Sequence, residues 1–161
     1  MLRKPPRPDP WLHAANDPKH GWSPQATVDQ QFIHMLEKFR PTGGLASLAE
    51  LRLVLRPDGG PQRNALDDWI RTRAVICFEW QTRTWLPWFQ FDRKSLTPHA
   101  PLRRVLAELN AVHLPWDVAC WFAQPNPWLH DQAPVDCLVT DLPGVLHAAR
   151  ADSVIANGRS A

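Results

Sequence analysis

Tyrosine is absent from the 161-residue chain, and cysteine, methionine and glycine number only three, two and seven. The cysteines, Cys77, Cys120 and Cys137, form no CxxC pair, and each sits in an apolar run where a free thiol behaves as a small hydrophobe. A structural zinc site needs four ligands at suitable spacing; His113 and His130 lie near Cys120 and Cys137 in sequence but do not make that pattern. No metal is expected, and the free thiols point to a reducing, cytoplasmic home. No apolar run approaches the ~20 residues that span a bilayer, and no hydrophobic signal core follows Met1, so neither membrane insertion nor export is expected.

Chemistry-bearing patterns are missing too. No glycine loop could cradle a phosphate, no nucleophile sits in an elbow, and no His-x-x-x-His pair occurs. Asp131, Asp136 and Asp141 recur every fifth residue, which does not bring carboxylates together on a helix. His147 with Arg150 reads as a polar helix face rather than a catalytic pair. The expectation is a binding protein, neither an enzyme nor a cofactor carrier. Strong charge is also lacking, for the formal net charge is +2. Residues 1–40 carry six basic and four acidic side chains, while 41–92 and 93–161 carry six of each. A dedicated nucleic-acid binder usually has a larger basic excess.

What is abundant is proline, with 17, and tryptophan, with nine. Each proline fixes φ and removes a donor, so many short elements with fixed starting angles are expected. Residues 1–22 are proline-rich and aperiodic and read as a disordered tail, with Trp11 or Trp22 docking on the core. Pro5-Pro6-Arg7-Pro8 could mimic a polyproline ligand, although a solvated tail is the plainer reading.

Residues 23–92 read as three helices and a β-hairpin. Ser23 and Pro24 open the first helix, whose core face is Val28, Phe32, Met35, Leu36 and Phe39. Ser47-Leu-Ala-Glu50 is a capping box that starts a second helix to about Leu55. The third runs from Pro61 to about Arg73 and buries Leu66, Trp69 and Ile70. Residues 75–80 and 84–91 are β-branched and aromatic, with a turn at Gln81-Thr-Arg83. Alternation puts Trp85, Phe89 and Phe91 on one face, and Pro87 marks an edge or bulged strand. This order is winged-helix-like. It makes the third helix a candidate DNA-recognition helix, with Gln62, Arg63 and Asn64 as base-reading types. Against it stand Asp67 and Asp68 one turn on, and a long preceding turn. Arg71, Arg73 and Arg83 could touch a phosphate backbone or simply solvate the surface.

Residues 93–161 read as a small all-helical unit. Leu102, Val105, Leu106, Leu109 and Val112 form one stripe. Trp116 to Ala123 is apolar nearly all round, and so central. Gln124-Pro125 stops it, a Pro125-Asn-Pro127 turn follows, and Pro134 starts a short helix. Asp141 caps a last helix with Leu142, Val145, Leu146 and Ala149 inward, and Asn157-Gly158 serves as its C-cap. The fold class is thus mainly α with a small β-hairpin.

Pro87-Trp-Phe-Gln-Phe-Asp92, then a helix, then Trp121-Phe-Ala-Gln-Pro-Asn-Pro-Trp-Leu129 and Ala133-Pro-Val-Asp-Cys-Leu138, resemble the toxin-binding domain of the Xre/MbcA/ParS antitoxins. That family carries a P-x-x-Q-F-D strand end and a later W-[FL]-x-x-P-N-x-x-L-x-G-x-[TR]-P-x-[DE]-x-L segment. The resemblance covers about residues 75–158, matching Gln90, Phe91, Asp92, Trp121, Pro125, Asn126, Leu129 and Pro134. It departs at Asp131, where the family has Gly, and at Ala133, where it has Thr or Arg. It implies a protein that binds a RES-type NAD-degrading toxin, the C-terminal end helping to cover the toxin's pocket, and an N-terminal part that represses its own operon. No ordinary helix-turn-helix signature falls on residues 45–73. The motif residues read mainly as structural, which moves the expected toxin contacts to Trp128, His130, Arg150, Asn157 and Gly158. A RES-type toxin, operator DNA and a second copy of the chain are the partners implied. A stand-alone DNA-binding regulator and a non-enzymatic interaction scaffold are the alternatives.

Overall fold

The computed structural model describes residues 24–55 and 62–159, without the side chains of 24–26, 62–64 and 159. The expected tail with Trp11 and Trp22, the Ser23 cap and the long turn before the third helix lie outside the described residues.

Helix α1 spans Pro24–Phe39 and buries Phe32, Met35 and Phe39, four or three residues apart. Leu36, expected on that face, lies at its exposed margin. A 3-10 turn, Arg40–Thr42, leads to Gly43 and Gly44, both with positive φ (113° and 79°). Gly43 is needed twice over. A Cβ there would be strained at that φ and would lie 2.8 Å from the Trp88 Cβ.

Strand β1, Leu45–Ser47, was not legible in the sequence. Ser47 ends it and caps α2, Leu48–Val54: the Glu50 amide donates to Ser47 Oγ at 3.2 Å and the Ser47 amide donates to Glu50 Oε2 at 2.8 Å. The expected capping box is therefore present. Helix α3 spans Gln62–Arg71. Strands β2, Phe78–Trp80, and β3, Arg83–Pro87, form the expected hairpin. Its turn is two residues, not three. Gln81 and Thr82 both have positive φ (46° and 61°), the backbone that matches strand twist in a tight hairpin.

The sheet is three antiparallel strands in the order β1-β3-β2. This corrects the expectation of an edge or bulged strand, for β3 is the central strand with an uninterrupted register on both sides. Pro87 is tolerated there because it is the last residue of the strand, opposite Leu45, and the next amide, Trp88, donates to the Gly44 carbonyl at 2.9 Å. After it, the 3-10 turn Trp88–Gln90 breaks the two-residue alternation. Trp85 and Phe89 stay with one face, but Phe91 swings to the other, against expectation.

Four helices follow: α4 (Ala100–Asn110), α5 (Pro115–Ala123), α6 (Pro134–Cys137) and α7 (Leu142–Arg159), with a 3-10 turn at Pro127–Leu129 between α5 and α6. The described chain is mainly helical with one small antiparallel sheet. Helix α7 continues through Asn157-Gly158 rather than capping there, so a glycine permitted to end a helix does not by itself end it.

The sheet has a different core on each face. One joins α1, β2 and α4 to α7 around Phe39, Phe122, Leu109 and Val145. The other, under α2 and α3, holds Leu51, Leu55, Leu66, Val75, Leu86 and Phe91. The larger core takes side chains from both sides of residue 92: Met35 and Phe78 share it with Val105 and Val118.

Candidate functional site

The motif residues are found in two linked places. The first is the strand end. Gln90 is fully buried and clamps one backbone unit: the Ile76 amide donates to Oε1 at 2.6 Å, and Nε2 donates to the Ile76 carbonyl at 2.9 Å. Its amide thus substitutes for a missing strand partner where no ladder reaches. The Gln90 carbonyl then accepts from the His99 amide at 2.9 Å, placing the start of α4. Asp92 organises the loop between. Its Oδ1 accepts from the amides of Lys94 and Ser95 and from Ser95 Oγ at 2.8–3.0 Å. Those bonds, Ser95's first, hold the carboxyl below the ordinary Asp range.

The second place is the turn after α5. Asn126 is buried, and its Oδ1 accepts from the Trp128 amide at 2.9 Å, the local cap expected of it. Its backbone takes the Leu129 and Asp131 amides and gives its own to the Gln132 carbonyl. His130 and Asp131 are both left-handed (φ 56° and 62°), a conformation that aspartate tolerates better than most side chains. Pro134 is buried at the start of α6, and Ala133 supplies no side-chain cap.

Asp152, on α7, joins this turn to the helix before it, and sequence reading missed it. Its Oδ2 accepts from Trp121 Nε1 and from Asn126 Nδ2, both at 2.8 Å. One carboxylate oxygen thus ties α5, the turn and α7 together. The only sequence signal was an acid amid the apolar residues of the last helix, which periodicity assigns to a solvated face. Arg150 Nε donates to Glu108 Oε1 at 2.8 Å and Ser153 Oγ to the Glu108 carbonyl at 2.9 Å, fixing α7 to α4.

The residues expected to touch a partner differ in exposure. Trp128 is half-buried, edge-on to His147 with ring centroids 5.5 Å apart, and its Nε1 is buried with no partner among the described residues. His130, Arg150, Asn157 and Gly158 are exposed, although Arg150 is committed to Glu108. Val154, 71% exposed, and Ile155 add apolar surface to the last turns of α7.

For nucleic acid, Gln62, Arg63 and Asn64 form the first turn of α3, and their side chains lie outside the described residues. The two acids that argued against phosphate are paired: Asp67 with Arg52 at 2.9 Å and Asp68 with Arg71 at 3.0 Å. Arg73 is not a free surface cation. Its guanidinium donates to the Asn110 and His113 carbonyls at 3.1 and 2.7 Å, completing the C-terminal end of α4.

Burial pushes the thiols of Cys77 and Cys120 up to about 11 and about 12, which keeps them protonated and unreactive near neutral pH. Cys137, also raised by burial, donates to Gln132 Oε1. No group of three or more His, Cys, Asp or Glu side chains is placed to share an ion among the described residues. No described helix is long and apolar enough to cross a membrane. A cavity of about 130 Å³ between α1 and α5 is walled by Met35, Cys120 and Ala123 and rimmed by Gln30, Gln31 and His34, the last hydrogen-bonded to the Ala123 carbonyl at 3.0 Å.

No protein-family model matches the chain, and neither a curated protein nor a solved structure is significantly similar to it.

Proposed function

We propose that the chain is an antitoxin-like binding protein that neutralises a RES-type, NAD-degrading toxin by covering it with the outer side of α7 and the adjoining turn. One observation carries this reading. Trp121 and Asn126, shared with the family motif, are tied to α7 by hydrogen bonds to one oxygen of Asp152, and Leu129 of the same turn is buried in the larger core. A frame of this kind holds a helix in a fixed pose, and pre-organisation lowers the ordering cost of binding. The protein acts in the cytoplasm and needs neither a metal nor a cofactor, since its work is done by surface shape.

The test is co-expression with the product of the adjacent reading frame. The expected result is a RES-domain protein that co-purifies with the chain and whose depletion of NAD stops when the two are together. A neighbour of another type, or a RES protein that neither binds nor loses activity, overturns the reading.

A second reading has its own support. The order α1-β1-α2-α3-β2-β3, with strands arranged β1-β3-β2, is compatible with the winged-helix-like order expected from the sequence. On that reading α3 enters the major groove of operator DNA as part of a homodimer, and Gln62, Arg63 and Asn64 read bases. It predicts salt-dependent binding to the chain's own promoter, weakened by Arg63→Ala. The absence of any shift at low salt ends it.

A further inference from the structure

The near-zero net charge hides a segregation. Between residues 93 and 104 there are four Lys or Arg side chains, one His and no acid; between 105 and 159 there are two Arg and six acids. The basic stretch is one structural feature. Phe91 and Pro98 bridge across its base, the Asp92 turn shapes its tip, and it runs directly into the first turns of α4. Arg93, Lys94, His99, Arg103 and Arg104 are all exposed, and none makes an ion pair among the described residues.

Three further observations bear on what this strip meets. Arg93 leans over the Gly43 turn, with Nη2 3.0 Å from where a Cβ on Gly43 would sit, next to the turn that begins at exposed Arg40. Leu96 anchors the loop by packing against the smaller core. The nearest acid, Asp92, spends one oxygen on three loop donors, and Glu108, one turn beyond Arg104, is taken by Arg150. Four cations are therefore left without counter-charge on a loop and helix start that span only a few turns.

We infer that the strip formed by Arg93, Lys94, Arg103 and Arg104 is a phosphate-backbone contact surface for double-stranded nucleic acid. Unpaired, exposed, mixed Lys and Arg on a rigid loop beside a helix supply position without sequence preference, which is what backbone contacts do. The inference does not depend on the antitoxin reading, and it concerns a surface separate from the first turn of α3.

The experiment uses the full chain, a fluorescent random-sequence duplex, and anisotropy at several salt concentrations. Four neutralised phosphates predict an affinity that falls on the order of a hundredfold between about 50 and 200 mM salt. The variant Arg93→Gln/Lys94→Gln/Arg103→Gln/Arg104→Gln alters only exposed side chains. With its circular dichroism unchanged, it is expected to bind at least about tenfold more weakly and with a shallower salt slope. No binding by the parent chain at low salt overturns the inference. So does an unchanged affinity in the variant, which would move the contact elsewhere, for instance to α3. Polyglutamate competing as strongly as the duplex also overturns it, by showing an acidic-protein surface instead.

Discussion

The two faces of the sheet are covered by cores of unequal kind. On the α4–α7 side, helices from widely separated parts of the chain lock around Phe122 and Leu109, and aromatic contacts run through it from Trp80 on Phe32 to Phe89 on Phe122. On the α2–α3 side, six buried side chains sit under two short helices, and the link between those helices falls at residues 56–61. Buried apolar area scales with stabilisation, so the first face dominates the folding free energy and the second is the part that opens at lower cost. The difference suits the two proposed roles: a rigid frame presents α7, and a lighter lobe carries α3.

The largest effect is expected where the faces meet. Gln90→Leu preserves bulk but strands the Ile76 amide and carbonyl, both inside the protein. At about 1–3 kcal/mol for each buried group left unpaired, urea unfolding is expected to show a loss of roughly 2–6 kcal/mol. A change below about 1 kcal/mol would mean that the clamp is not what joins the strand end to Ile76.

Asp152→Ala comes next. It removes the acceptor of Trp121 Nε1 and Asn126 Nδ2, for an expected cost of about 1–3 kcal/mol. Binding to the partner should fall further than stability does, because α7 loses its tie to the turn. Equal losses in both, or none in binding, would remove Asp152 from any positioning role.

The cysteines report each face separately. Cys77 packs against the smaller core and Cys120 lies in the larger. In the folded protein burial raises both thiols and slows alkylation near neutral pH, and because Cys77 is half-buried where Cys120 is buried, the comparison is of how far urea speeds each above its native rate. Alkylation followed by mass spectrometry should speed up at Cys77 in less urea than at Cys120, and Leu66→Ala should widen the gap. Simultaneous acceleration would instead make the two faces one cooperative unit.

Acid should loosen the lighter side by a small amount. Glu50, held down by its bonds with Ser47, and Asp92, held down by Ser95 and Lys94, both lie beside the smaller core. Their folded values are depressed, so their contribution is complete above the ordinary carboxylate range and is lost as pH falls through the lowered values. Glu50 is exposed and Asp92 open to solvent on part of its surface, which keeps the effect modest. Hydrogen exchange at decreasing pH, corrected for intrinsic rates, is expected to show α2 losing protection before α5, and Asp92→Asn should reduce the difference.

Local rules reached far into this chain. The Ser47 capping box, the proline helix starts at 24 and 134 and the turn at Asn126 depend on neighbours within a few residues, and the structure contains each. So does the mainly helical class with a hairpin. What failed did so where a distant partner decides. β1 is three residues with no alternation to read, and it exists because β3 offers it an edge. Pro87 signalled an edge or bulged strand, yet its place at the strand's end let β3 lie in the centre.

The candidate site divides the same way. Its motif spacing, and the types of Trp121, Asn126 and Gln90, were legible, because a helix stop and a turn are written in adjacent residues. Asp152 and the Ile76 clamp were not, since a hydrogen bond across 26, 31 or 14 residues leaves no local period. The basic strip at 93–104 was in the sequence all along but averaged out within a balanced third of the chain. Sequence alone therefore determined where each element starts, stops and turns, through φ preferences and caps. Only the tertiary structure decided which strand lies in the centre, which carboxylate holds α7 and which cations stay unpaired, because those depend on groups that meet only after the chain has folded.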